Sequence, residues 1–393
     1  MGLRIRREPH LTLATPSPPG APSRRPSALR ALLLAGLALL PLLLAACNPV
    51  YVARAGWAQA GILSAREPIP QALTRPDLDP RVAGKLALVW EARTFAVEEL
   101  GFQNAGQSYT SWVDLPSDTL ALVVTAAHRD RLAFHTWWFP ITGRVPYRAW
   151  FSEDRALSAA ADLSARGLDT RVRPVAAFST LGWFSDPVPS TLLRQDETGV
   201  VETVLHELAH NHLFIPGQGR FNESYATFAG HAAAITFFCT RPGGGPDTRW
   251  CLRARDRWAD QRTVARFLVE LEEELREGYT DLREARREHG DEARAAADLD
   301  AFRSRTFGGA RERFASEVQP TLRAGGWATL GSEELDNARI LSLTLYMHRL
   351  DDFHRLWMEE FGGDLARALA ALREEAPRHE NPLDAIEALS LDP

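Results

Sequence analysis

His206-Glu207-Leu208-Ala209-His210 sets two imidazoles four residues apart, a spacing that places them one above the other on a single face of an α-helix. Neutral imidazole nitrogens arranged in this way can share one zinc ion, which in a catalytic site takes three protein ligands and keeps a fourth position for water. Glu207 follows the first imidazole directly, points at that water instead of bonding the metal well, and is the natural general base. A third ligand is needed. Glu223 stands 13 residues beyond His210, at the start of the next helix and after the turn-forming Pro216-Gly217-Gln218-Gly219, so an antiparallel helix pair would bring its carboxylate back to the metal. The apolar run Val200, Val201, Val204 and Leu205 ahead of the motif favours a buried catalytic helix over two satisfied structural histidines. His212 faces elsewhere and reads as a loop-side hydrogen-bonding residue. His231 reads as a buried histidine, with support of the metal ligands as the alternative.

Several elements must position these groups. Ala53 to Ala65 and Arg81 to Leu100 carry apolar residues at helical spacing. From Ser108 the texture changes to β-branched and aromatic alternation, which predicts antiparallel strands at 109–115, 119–127, 133–139 and 145–151. A helix at 153–166, closed by Gly167, precedes a strand at 170–180. Within that strand Val175 to Leu181, with Ser179 and Thr180 exposed at its end, is placed to pair with a substrate backbone, an internal sheet strand being the alternative. The metal-bearing helices are expected at 198–211 and 223–238. Residues 252–320 are dense in Arg and Glu with apolar residues at three and four spacing, the pattern of a long helical hairpin with a solvated face. Two helices, 333–349 and 352–375, close the chain.

Across 393 residues, 45% are hydrophobic and 24% charged, enough for a sizeable core. The net charge of −6 argues against a nucleic-acid partner, whose phosphates demand a basic surface. The one long apolar run, Ala31 to Ala46, is broken by Pro41 and follows Arg24, Arg25 and Arg30, the layout of an export signal. It ends in Leu44-Ala45-Ala46-Cys47, which resembles a bacterial lipobox with Cys47 as the lipidated residue. Asn48 after it favours the outer membrane, so the expected location is the bacterial cell envelope, lipid-anchored and facing the periplasm. Residues 1–46 hold six Arg and one Glu, so the exported part carries −11. Cys239 and Cys251 form an even pair in an oxidising compartment, either disulfide-bonded or two core thiols. The expected regions are a signal peptide (1–46), an N-terminal helical layer (47–107), a catalytic core (108–240), a charged helical hairpin (241–330) and C-terminal helices completing the catalytic domain (331–393).

Several separated blocks resemble the family of putative bacterial aminopeptidases, lipoproteins with an H-E-x-x-H motif. They are Cys47 with Tyr51 and Gln59-Ala60, Arg66-Glu67-Pro68-Ile69, Trp138 to Gly143 with Tyr147-Arg148, Phe178 to Pro187, the HELAH segment, Phe221-Asn222-Glu223-Ser224, and Asn337-Ala338-Arg339 with Tyr346. The resemblance implies a zinc peptidase in which His206, His210 and Glu223 bind metal and Glu207 activates water. It departs at Tyr225, where the family has Phe, and at Ala229-Gly230, where an acidic residue is usual. The oxyanion of the reaction needs a donor beyond the metal. Tyr346 is the candidate, with Arg339 two helical turns earlier on the same face; Tyr109 and His348 compete with it. The expected fold is α+β and zincin-like, of gluzincin type, with a mainly antiparallel sheet and flanking helical layers. The expected function is peptide hydrolysis, with exo or endo cleavage open because no amine-fixing exopeptidase motif stands out. A non-catalytic metal-binding envelope lipoprotein that holds a peptide or partner protein is the alternative, and a hydrolase of some other amide, such as a cell-wall peptide, is a third reading.

Overall fold

In the computed structural model, residues 56–57, 60–139, 143–175 and 185–390 are described. Strand β1 (Glu67–Pro68) leads through a short turn to helix α1 (Pro80–Glu98). Asp79 caps that helix by accepting from the Arg81 and Val82 amides, and Pro80 occupies the first turn, where no amide proton is required. Its Leu86, Val89, Ala92 and Ala96 are fully buried.

The β-structure is divided into three small sheets, where the alternation predicts one mainly antiparallel sheet. Strand β2 (Ser111–Val113) pairs antiparallel with β1 and parallel with β8 (Val188–Pro189). Strand β3 (Ala121–His128) is flanked by β6 (Tyr147–Trp150) and β7 (Leu168–Val175), both antiparallel to it. A third sheet joins β4 (Trp137–Phe139) to β5 (Gly143–Val145). The chain is α+β but mostly helical. Successive residues of β3 face opposite ways. Val124 and Ala126 pack on Ala156, Ala160 and Leu163 of helix α2 (Glu153–Ala165). Thr125, on the other face, bonds the Ser342 hydroxyl at 3.2 Å.

Helices α3 (Glu197–His212) and α4 (Gly219–Thr240) form a buried antiparallel hairpin. Helix α5 (Arg249–His289) follows, tied to the end of α4 by the Cys239–Cys251 disulfide. Gly290, at φ +66°, reverses the chain into α6 (Glu292–Arg313). The α5–α6 hairpin is more than a solvated arm. Arg303 makes two bonds to the Asp169 carboxylate, at 2.9 and 2.8 Å, and donates to the Tyr279 hydroxyl, locking α6 to β7.

The C-terminal helices are shorter than their periodicity predicts. Helix α7 (Asn337–Thr344) stops early, and α8 (Leu350–Arg355) restarts after Arg349 in a left-handed conformation at φ 60°. Gly362 and Gly363, both at positive φ, separate α8 from α9 (Leu365–Glu375), and α10 (Ala385–Ser390) ends the described chain. One hydrophobic cluster runs from Ile69 through the α3–α4 hairpin to Ile386, so the N-terminal and C-terminal helices share a core with the motif-bearing pair.

Candidate metal centre

Helix α3 is anchored at both ends and along its length. Asp196 caps it by accepting from the Gly199 amide at 2.8 Å and is itself held by Arg253. Val200, Val201, Val204, Leu205, Leu208 and Ala209 are completely buried, which leaves the helix no freedom to rotate His206 and His210 out of place. Helix α4 crosses α3 at Gly230. A side chain there would lie 2.9 Å from the Glu202 carbonyl and 3.0 Å from both the amide nitrogen and Cβ of His206. The absence of a side chain at Gly230 lets the two ligand-bearing helices approach.

Asn222, Glu223 and Ser224 each do a separate job at the start of α4. The Asn222 side chain accepts from the Ile215 amide at 2.9 Å and donates to the Ile215 carbonyl at 2.8 Å, which fixes the reversing turn. Glu223 points back at α3. Ser224 accepts from the His348 amide at 3.0 Å and donates to the Leu345 carbonyl at 3.4 Å, pinning the turn that carries Tyr346.

The Nε2 atoms of His206 and His210 each lie 3.5 Å from the same Glu223 oxygen, Oε2. The ligand atoms of the three residues fall within 4.8 Å of one another, the one such group among the described residues. A tetrahedral zinc ion with bonds of about 2.0–2.1 Å holds its ligand atoms roughly 3.4 Å apart. The donor set and its spacing fit zinc. Burial alone would raise the Glu223 carboxyl, but the facing His210 and His206 rings hold it well below the usual carboxylate range. Burial likewise lowers His210, and the Glu223 charge outweighs it and raises the ring. Such a buried carboxylate between two imidazoles invites a cation to replace their protons.

The chain matches the family described as "Putative aminopeptidase" over residues 50–381. It belongs to that family. No curated protein and no solved structure is significantly similar to it. In this Putative aminopeptidase family member, Glu207 acts electrostatically on His210, Tyr346 and Tyr109.

Tyr346 reaches the centre, but not as the spacing implied. It sits in the turn after α7, its ring centroid 6.0 Å from that of His206. Arg339 does not share its face. It is buried and bound to Glu333 and to the carbonyls of Glu334 and Thr329, because α7 ends before a second turn can align the two. The partner of Tyr346 comes from β7 instead. Arg173 Nη2 donates to the Tyr346 oxygen at 3.4 Å. Burial, reinforced by the Glu223 charge, pushes the phenol above its ordinary range, and Arg173 works against both.

The remaining candidates divide. Tyr109 is buried at φ 61°, its hydroxyl has no hydrogen-bond partner among the described residues, and Glu207 and Asp186 act on it electrostatically. His348 turns away to Glu272, 3.5 Å distant. His212 stacks on Phe102 and accepts from the Gln103 amide at 3.0 Å. His231 stacks on Trp258 and meets Glu202 at 3.3 Å, supporting α3 one turn before His206. At Tyr225 the ring stacks on Phe221. Ser179, Thr180 and Cys47 lie outside the described residues, and β7 pairs only with β3 among those described. The residue that sequence reasoning missed is Arg173. Its signal was present in Arg171-Val172-Arg173, two cations on one face of a strand.

Proposed function

We propose that this protein is a zinc-dependent peptidase anchored in the bacterial cell envelope through a lipid on Cys47. The observation that carries the reading is the convergence of both HELAH imidazoles on one Glu223 oxygen, with the Tyr346 ring 6.0 Å from that of His206 and Glu207 acting electrostatically on His210. His206, His210 and Glu223 would hold the metal. When bound there, zinc supplies a Lewis acid that polarises the scissile carbonyl and acidifies water. Glu207 takes the proton of the attacking water and passes it to the leaving nitrogen as the C–N bond breaks, so that one water yields a carboxyl and an amine product. Tyr346 accepts from Arg173, which leaves its own O–H proton free to donate to the oxyanion that develops on the carbonyl.

Envelope anchoring rests on the lipobox-like Leu44-Ala45-Ala46-Cys47. No helix among the described residues is long and apolar enough to cross a membrane.

The test is metal content by mass spectrometry on the chain from Asn48 onward, purified without a His tag, beside Glu223→Ala and Glu207→Gln. About one zinc per chain in the parent, lost in Glu223→Ala and kept in a hydrolytically dead Glu207→Gln, is the expected pattern. A folded parent that takes up no zinc even when supplied would end the peptidase reading and favour a binding lipoprotein.

A further inference from the structure

Arg173 brings a positive charge beside the candidate centre that its single bond to Tyr346 does not exhaust. Its guanidinium has five N–H donors, of which one is used among the described residues, toward Tyr346. Among the described residues no carboxylate pairs with it, and residues 176–184, which follow β7, contain no Asp or Glu. Arg173 is half-buried, and none of its nitrogens is a buried donor lacking a partner among the described residues. Arg303 of α6, by contrast, is paired with the Asp169 carboxylate and bonded to Tyr279.

The placement is set by the sheet. Arg173 opposes Val123 and Arg171 opposes Thr125, so both arginines lie on the β3 face that meets α7 instead of the face that meets α2. Burial, with the like charges of Arg339 and Arg173, lowers Arg171, and Glu333 and Asp336 oppose this only in part. Arg173, with no carboxylate paired to it among the described residues, lies one phenol away from His206. With a dication on the metal ligands, Glu223 and Glu207 balance it and Arg173 remains in excess. A substrate residue spans about 3.5 Å, so this charge is within a residue or two of the scissile bond.

We infer, resting on the peptidase reading, that Arg173 is a specificity determinant that receives a substrate carboxylate beside the scissile bond. The preferred substrates are therefore short peptides ending in a free α-carboxylate, or peptides with Asp or Glu next to the cleaved bond. Planar pairing of guanidinium with carboxylate supplies the selectivity.

The test measures binding rather than turnover. The zinc-supplied exported chain carrying Glu207→Gln is titrated by calorimetry with Ala-Ala-Ala and its C-terminal amide, and with Ala-Glu-Ala-amide and Ala-Gln-Ala-amide. At least one carboxylate peptide should bind about tenfold or more tighter than its neutral partner, as expected for a charged hydrogen bond. The pair that discriminates identifies the source, main chain or side chain. Adding Arg173→Gln should bring the ratio within about twofold, and Arg173→Lys should restore part of it. Because the readout is a ratio, a general weakening through Tyr346 cancels. Equal binding of carboxylate and neutral peptides, no binding of either, or a preference that survives Arg173→Gln would overturn the inference. A wild type that cleaves nothing while the ratio behaves as expected would sink the peptidase reading and leave this subsite standing.

Discussion

Gly230→Ala should separate the two halves of the metal centre. The new methyl would lie 2.9 Å from the Glu202 carbonyl and 3.0 Å from the backbone nitrogen and Cβ of His206, all rigid parts of a buried helix. Restoring ordinary contact requires α3 and α4 to part by about 0.5 Å, more than the roughly 0.2 Å that a metal site tolerates in its bond lengths. Overpacking of this kind costs about 1–3 kcal/mol, while Ala in place of Gly in a helix returns up to about 1 kcal/mol. The net expectation is a loss of up to about 2 kcal/mol in the zinc-free protein, read by urea denaturation, and zinc binding weakened by about tenfold or more. Gly308→Ala in α6 is the internal control. A methyl there meets nothing within 4 Å, so the same substitution should stabilise by about 0.5–1 kcal/mol and leave zinc affinity alone. The zinc-free state must be used for both, since bound metal adds its own stability. A Gly230→Ala protein as stable as its parent, with equal zinc affinity, would refute the claim that this close approach sets the ligand geometry.

Tyr346→Phe should lower kcat by about a hundredfold or more with little change in KM, as when one oxyanion donor is removed; unchanged kcat removes the phenol from the mechanism. Burial, with the Arg262 guanidinium, pulls His354 down to about 4, and its neutral Nδ1 accepts from the Trp258 indole at 3.2 Å. Between pH 6.5 and about 4 the unfolded chain therefore binds more protons at this residue, so stability should fall as pH drops through that window, and His354→Asn should flatten the slope. An identical pH profile in the variant would assign the loss to other groups. Reducing the Cys239–Cys251 disulfide, whose ends are 12 residues apart, should cost about 3 kcal/mol of stability by freeing the unfolded chain. Zinc affinity should stay within about twofold, because Cys239 sits roughly 24 Å along α4 from Glu223. A large loss of zinc on reduction would show that the far end of α4 controls the centre.

The local part of the metal centre was legible in the sequence. Two histidines four apart on an apolar helix must share a face, and a Gly/Pro turn before Glu223 must reverse the chain. These follow from the geometry of one helix and one turn. The terminal helices were over-read for the complementary reason. Periodicity reports which residues are apolar, but α7 is stopped after Thr344 by contacts that Ser224 makes from 121 and 124 residues away. Arg339 was misassigned because its alignment with Tyr346 assumed an unbroken helix.

Arg173 could be read as one of two cations on a strand, but its meeting with Tyr346 spans 173 residues. That meeting depends on the register of β7 against β3 and on the seating of α7. Asn337 sets the seating by donating its side-chain amide to the His128 carbonyl, accepting from the Tyr279 hydroxyl, and donating its backbone N–H to the Asp169 carboxylate. Thus the sequence by itself determined the candidate metal-binding pair and the carboxylate proposed as its base, because covalent spacing within a helix dictates which side chains adjoin. Only the tertiary structure decided which tyrosine and which arginine complete the site, because those neighbours are chosen by packing between elements that the chain leaves far apart.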